Sequence, residues 1–504
     1  MKKTVSVLAV FILILYCFTS CGTEDGKESA NSTAGNSSAE IQSQTDNTSE
    51  EMSEETDPLA HIEQQNLNRT VTFLVNGDIY DRYMSVEILP NDNSPDLISE
   101  AVAERNRIVE QKLGVNIAEL RVTADQMMTR IRTAASSSAN EFDVAMPYLY
   151  VAAALTSEKM FYDLNDFSNI INFDADYWNK QARDALTIDN KLYFATGDFS
   201  LLSFECTHAI VFNKTVLNRV EGESPYSLVE SGNWTYDTLT MLAKLATAET
   251  DGTDGMTYKD SYGFWVDGDY ILSMFIGSGE RLSTKDGDDF PAIDIYTNRS
   301  VDVIKSLTDL VNDKTSSFYI ESCHTQAVAA GDKDCYFAAT KAFAEGRALF
   351  RSLSLVDLHE LSAFEVDYGI LPTPKYNTEQ DDYYCFGSTQ TVTAAAIPIS
   401  HDDPATVALV LEAMAAASQN TVKYNYYEVL LKSRKIQDQE SEIMLDVIFK
   451  NRVYDLADIY NWGGIRSLVV DTVTNGGYTF TSKWQSVSDA VISKMEETID
   501  FFRE

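Results

Sequence analysis

The sequence predicts an α/β fold with mostly parallel sheets, divided between two lobes. Three observations lead there. From residue 70 onward, short apolar runs alternate with segments of helical period in the order strand, helix, strand, helix, strand, the pattern of βαβ units with helices on the sheet faces. The part of the chain able to form a core is about 440 residues long, more than one hydrophobic core holds. A second run of strands and helices starts near Cys206.

The leader comes first. Lys2 and Lys3 precede a nearly all-apolar run at 5–18. A membrane-spanning helix needs about 20 such residues, so the run reads as the apolar part of an export signal. Thr19 and Ser20 are small and stand directly before Cys21. The order Phe18-Thr19-Ser20-Cys21 resembles a bacterial lipobox, in which the cysteine is acylated and becomes the mature N-terminus. That motif favours Leu where Phe18 stands, and a plain secretory signal is the alternative. Residues 22–60 carry ten acidic residues against one Lys and no aromatic residue. So little apolar surface does not offset ordering entropy, and a disordered acidic tether is expected as far as residue 64.

The net charge of −38 excludes a nucleic-acid partner and electrostatic binding to anionic lipid, and it makes a neutral ligand the easiest to accommodate. Beyond the tether stand Cys206, Cys323, Cys335 and Cys385, without the CxxC spacing of a zinc or redox motif. An exported chain permits disulfides, and Cys323 with Cys335, which close a short loop, are the expected pair. His61, His208, His324, His359 and His401 are scattered, which argues against a His-ligated metal.

In chain order, "TVTFLVN" reads as the first strand, "SEAVAERNRIVEQKLGV" as a helix with Val102, Val109 and Leu113 inward, and "VNIAELRVT" as a strand. "ADQMMTRIRTAASSS" reads as a helix and "FDVAMPY" as a short buried strand. "HAIVFN" feeds a helix, and "SGNWTYDTLTMLAKLA" is a helix with Asn233 as its expected cap and Trp234 inward. "YGFWV", "YFAAT", "ALFRSLSLV" and "YGILPTP" read as strands, with helices at 298–311 and 405–417. In parallel sheets ligands settle beyond the carboxyl ends of strands. That singles out Tyr80, Tyr148, Tyr150 and Asp198.

The blocks "AERNRIVEQKLGVNI", "EFDVAMPYLYVAAALTSEKMFYDLNDF", "KLYFATGDF", "AIVFNKTVLNRV", "GNWTYDTLTMLAK", "AFAEGRALF" and "YGILPTPKYN" stand in one order over about 400 residues. Together they resemble family 1 extracellular solute-binding proteins, the lipid-anchored receptors of ABC sugar importers. The resemblance implies a two-lobed periplasmic-binding-protein-like fold of type II, with the ligand held between lobes joined by a hinge. It implies a signal at 1–20, a lipidated Cys21 and tether to 64, a first lobe from 65–212 and 386–450, and a second from 213–385 and 451–504. It also implies a monomeric receptor on the outer face of the cell membrane, partnered by ABC permease subunits and using no cofactor or metal.

A sugar offers C–H faces to aromatic plates and a rim of hydroxyls to polar groups. "FWVDGDY" combines Trp265 with Asp267, Asp269 and Tyr270, and "IYNWGG" combines Tyr460, Asn461 and Trp462 beside two glycines. These, with the four strand-end residues, are the candidate ligand contacts; no catalytic residue is assigned. A glycan-active enzyme is one rival, since acidic pairs abound, but GxSxG, HExxH and P-loop motifs are absent from the sequence. A receptor for a peptide or another polar solute is the other. The acidic turn at Asp286, Asp288 and Asp289 lacks the EF-hand spacing.

Overall fold

The computed structural model describes residues 57–77, 83–91, 96–137, 141–432, 439–476 and 478–504. The expected signal, Cys21 and most of the tether lie outside the described residues. Strand β1 (Arg69–Asn76) is buried on both faces from Phe73 onward. Asp96 caps α1 (Leu97–Leu113) by accepting from the Ser99 N–H, and Gly114 ends it at φ 67°, a left-handed conformation that suits a residue without Cβ. Then come β2 (Val115–Val122), α2 (Ala124–Ser137), β3 (Val144–Ala145) and α3 (Leu149–Ser157). The three strands form a parallel sheet in the order β2-β1-β3, with Val71 opposite Ile117 and Phe73 opposite Val144. Leu59 and Ile62 are buried in this first core. Ordered chain therefore starts before residue 64, because these two side chains bury enough apolar surface to fix the backbone.

β4 (His208–Asn213) opens the second sheet. α4 (Tyr236–Ala246) begins at Thr235, which forms a reciprocal capping box with Thr238, two residues beyond the expected Asn233. β5 (Tyr262–Val266) lies directly under α4, where a Cβ on Gly263 would sit 1.9 Å from the Ala243 carbonyl oxygen. Next are α5 (Gly268–Gly277), the hairpin of β6 (Ser283–Lys285) and β7 (Pro291–Ile293), α6 (Asn298–Asn312) and β8 (Ser317–Tyr319). In the hairpin turn Asp286 Oδ1 accepts from the Asp288 and Phe290 N–H groups. α7 (Cys335–Ala344) replaces the strand expected at "YFAAT": Asp334 caps it, and Ala339, Ala342 and Phe343 bury one helical face. β9 (Ala348–Ser354), α8 (Asp357–Leu361), β10 (Tyr368–Leu371) and β11 (Cys385–Phe386) follow. The second sheet runs β10-β4-β9-β5-β8. Its strands β10, β9, β5 and β8 point one way, and β4 alone, antiparallel to both of its neighbours, points the other. The sheet is thus mostly parallel in direction, with one reversed strand. β4 arrives from the first core rather than through a crossover helix, so the right-handed βαβ constraint does not set its direction.

The chain then returns. α9 (Pro404–Ser418) and Val392–Ile397 join the first core. A π-helical turn at Gln419–Lys423 redirects the backbone into α10 (Tyr424–Lys432) and α11 (Gln439–Lys450). Val422, Tyr426, Leu445, Ile448 and Phe449 join a cluster that holds Val102 of α1 as well as Val211, Trp265 and Leu353 of the second sheet, so this stretch packs against both. β12 (Arg452–Val453), α12 (Leu456–Ile459), α13 (Ile465–Thr474) and α14 (Phe480–Arg503) complete the chain. Cys206, Cys323, Cys335 and Cys385 are buried free thiols, so the expected Cys323–Cys335 bond is not formed. Among the described residues no helix is long and apolar enough to cross a membrane.

Candidate functional site

The two cores meet where the chain passes between them. Thr207 pairs with Gly387, and the Ser388 N–H donates to the Cys206 carbonyl at 2.9 Å. These crossing segments join the two cores, and the space between the cores above them is the candidate cleft. On the first side, the turn from β3 into α3 presents two tyrosines. Tyr148 is buried and its hydroxyl donates to the Tyr83 carbonyl at 2.9 Å. Tyr150 is 36% exposed and lies parallel to Tyr148, with ring centroids 6.3 Å apart. Its N–H donates to the Thr389 carbonyl at 3.3 Å.

Thr389 carries the network to the other side. Its hydroxyl donates to Asp458, a fully buried carboxylate on α12. Arg466 Nη1 donates to both Asp458 oxygens at 2.7 and 2.9 Å, while Nη2 donates to Asp269 Oδ1 at 2.8 Å. The Asp269 side chain is 55% exposed in the first turn of α5, a position the helix dipole favours. Burial works against its charge, but Arg466 outweighs it and holds the carboxyl below the usual carboxylate range. Beside it, Asp267 caps α5 and accepts from the Ser352 hydroxyl at 2.7 Å, and the Gly268 N–H donates to Glu321 Oε1 at 2.8 Å. Burial, then the charge of neighbouring carboxylates, pushes both Asp267 and Glu321 upward. The buried His208 ring stacks on Tyr270 at 5.6 Å, and burial pulls its imidazole down to about 4.

Further along, a cavity of about 330 Å³ is lined by Met84, Val86, Leu201, Glu205, Asp357 and His359. Glu205 and His359 form an ion pair at 2.9 Å, and that hydrogen bond raises the His359 pKa. Behind this wall lies Glu87, fully buried, with Oε2 accepting from the Val86 N–H at 2.7 Å. Burial pushes Glu87 up to about 7, and burial lowers the nearby Arg105 to about 9. Between the unfolded value of 4.5 and about 7, the folded chain holds a proton that the unfolded chain releases. Stability therefore falls as pH rises through that window. Glu87→Gln is expected to exceed the native chain in stability at pH 8 by on the order of 2 kcal/mol and to match it at pH 4.5. Urea midpoints at the two pH values check this.

Of the sequence candidates, the structure brings Tyr148, Tyr150 and Asp269 together at the cleft. Tyr80 lies outside the described residues. Tyr270 is buried and its hydroxyl shares a 3.0 Å hydrogen bond with Thr373, so it supports the core rather than facing the opening. Asp198 is elsewhere: it pairs with Lys423 at 3.0 Å beside a separate cavity lined by Lys180, Tyr427 and Arg452. Trp265 is a core residue, 0% exposed and packed on Phe318 at 4.5 Å. Trp462 is buried too, its indole N–H donating to Thr498 Oγ1 at 2.9 Å, with Tyr460 stacked on it at 5.8 Å. Neither indole presents a face to the cleft, which corrects the sequence expectation. Asn461 is exposed at φ 46°, the left-handed turn that swings Trp462 inward. Sequence reasoning missed Thr389, Asp458, Arg466 and His208.

Residues 106–428 match the family model described as bacterial extracellular solute-binding protein. A search of curated protein sequences gives no significant match. Among solved structures, the GacH receptor of Streptomyces glaucescens, described unliganded and with acarbose, has 14% identity and a TM-score of 0.52, covering 84% of this chain and 99% of that one. A cyclo/maltodextrin-binding protein complexed with maltotetraose has 13% identity and a TM-score of 0.54, covering 85% and 97%. MalX from Streptococcus pneumoniae, in complex with maltopentaose, has 16% identity and a TM-score of 0.51, covering 85% and 100%. At such identities the likeness is one of fold: two α/β lobes around a cleft. With the family model spanning well over half of its length, the chain belongs to the bacterial extracellular solute-binding proteins.

Proposed function

We propose that this chain captures a neutral carbohydrate, an oligosaccharide, in the cleft and presents it to the permease subunits of an ABC importer. It acts as a monomeric receptor held at the outer membrane face by lipid on Cys21, and it carries out no bond-making step. The observation that carries the reading is the meeting of an exposed ring from the first lobe, Tyr150, with a charged pair from the second, Asp269 and Arg466, through Thr389 and Asp458. A ring face suits the C–H surface of a sugar, and a carboxylate beside a guanidinium accepts from and donates to its hydroxyls. A ligand touching both lobes favours the closed form over the open one and so shifts the population toward it. The solved proteins of this fold described with acarbose, maltotetraose and maltopentaose support a glycan over a peptide.

The test is a thermal-shift screen of the Cys21→Ser chain, expressed without its leader, against glycans, peptides and calcium. A glycan present at 100 times its dissociation constant stabilises the fold by about 2.7 kcal/mol. Tyr150→Ala and Asp269→Ala are each expected to weaken that glycan about tenfold, or ~1.4 kcal/mol, with the fold intact. A shift with peptides alone would replace the sugar by another solute. For the anchor, the full chain is expected in the detergent phase of a Triton X-114 separation and its Cys21→Ser variant in the aqueous phase; equal partitioning would remove the lipid.

A further inference from the structure

At the edge strand β8, a cavity of about 720 Å³ is lined by Tyr258, Phe318 and Tyr319 together with Asn312, Gln326 and Thr474. Asp251, Lys259 and Lys314 line it as well, so rings and both neutral and charged hydrogen-bonding groups face one space, and these suit the C–H faces and hydroxyls of a sugar. The adjoining loop adds hydroxyls of fixed direction. Thr253 Oγ1 and Thr257 Oγ1 donate to the two Asp251 oxygens at 2.6 and 2.7 Å, and Thr257 Oγ1 also accepts from the Lys259 N–H at 3.1 Å, which fixes where both hydroxyls point.

The cavity joins the cleft through two elements. On α13, Arg466, Val470 and Thr474 follow one another at intervals of four and share a face. Arg466 holds Asp269 in the cleft, Val470 Cγ1 lies 3.4 Å from the Cβ position of Gly268, and Thr474 lines the cavity. At about 1.5 Å of rise per residue, the distance from Arg466 to Thr474 is about 12 Å, which a few linked sugar rings cover. The Tyr319 ring makes the second link, since its hydroxyl lies 3.3 Å from that same Cβ position while the residue also lines the cavity.

We propose that this cavity at the edge of the second sheet is a distal subsite, taking the far units of an oligosaccharide whose first units lie at Asp269 and Arg466. The inference rests on the carbohydrate reading given above. It names the substrate class more narrowly: a chain long enough to leave the cleft and run along α13.

The test is calorimetric titration of the leaderless chain with glucan, xylan, mannan and chitin fragments of two to seven units. Tyr258→Ala and Gln326→Ala, both at accessible positions, are run beside it, with melting curves to establish that they fold. In the series that binds, affinity is expected to rise at least fivefold between three and six units. Both variants are expected to keep the affinity for the shortest fragment and to lose that rise. A native chain that binds short fragments but gains nothing with length would overturn the distal subsite and leave the carbohydrate reading standing. Variants that retain the full rise, or that weaken short and long fragments equally, would overturn it too. No binding in any series would overturn both.

Discussion

Arg466→Ala is expected to lower the stability of the fold by about 3–5 kcal/mol, the cost of leaving a buried carboxylate without its partner. Asp458 is fully buried and takes two hydrogen bonds from this guanidinium, at 2.7 and 2.9 Å, plus one from the Thr389 hydroxyl. Burial opposes the Arg466 charge, but the nearby carboxylates Asp458 and Asp269 outweigh it and raise its pKa above the ordinary value, so the guanidinium stays charged. Without Arg466, Asp458 keeps one neutral donor and no cation. The urea midpoint is the readout, and an unchanged slope would show that the denatured state is unaltered. The second arm separates charge from shape. In Arg466→Met/Asp458→Asn the orphaned charge is gone and Thr389 keeps an acceptor, so most of the stability should return. Ligand affinity should not return, because Asp269 has lost its partner. If the double variant stays as unstable as the single one, the buried charge is not the cause.

Glu412→Ala is the other large effect, about 4 kcal/mol. Glu412 is a fully buried carboxylate in the middle of α9. It accepts from the Trp178 indole N–H at 2.9 Å, the Tyr177 hydroxyl at 2.5 Å and the Asn172 N–H at 3.2 Å, and it lies 3.2 Å from His61 Nε2. Each buried donor left without an acceptor costs about 1–3 kcal/mol, and the vacated side-chain volume adds to that. Glu412→Gln keeps an acceptor oxygen and should cost roughly 1 kcal/mol. The contrast between Ala and Gln in chemical denaturation is the check. Equal losses would mean that the negative charge, not the acceptor geometry, holds these donors.

The strands and helices were legible because each is written in a local period. β5 is a continuous apolar run, β1 alternates into one at Phe73–Val75, β9 opens on one at Ala348–Phe350, and α1 ends at a glycine in the left-handed region, as sequence signals of that kind demand. "YFAAT" misled because a ring pair beside small residues suits a strand as well as a helix; the Asp334 cap decided it. The site was legible only in part. Asp269 and Tyr150 stand just after strands, where ligands gather. Trp265 shares their neighbourhood in sequence, but it is the fourth residue of a strand covered on both faces, so its indole is sealed before the chain reaches the opening. Trp462 stands beside two glycines at φ 57° and 77°, which read as a loop, yet its partner Thr498 is 36 residues on and draws the ring inward. Arg466 and Asp269 are 197 residues apart and Thr389 and Asp458 are 69 apart. No periodicity in a single sequence reaches that far.

The return of α9 to the first core has a consequence for how the molecule is made. Trp178 and Glu412 are 234 residues apart, so the first core lacks a central helix until every strand of the second sheet has been synthesised. Closing so long a loop is slow because its entropy is lost before any contact rewards it. Neither lobe completes its folding as an independent N-terminal unit, and the early chain stays open while synthesis proceeds. For a protein of an extracellular family, late closure leaves the first lobe incomplete until the last fifth of the sequence has been made.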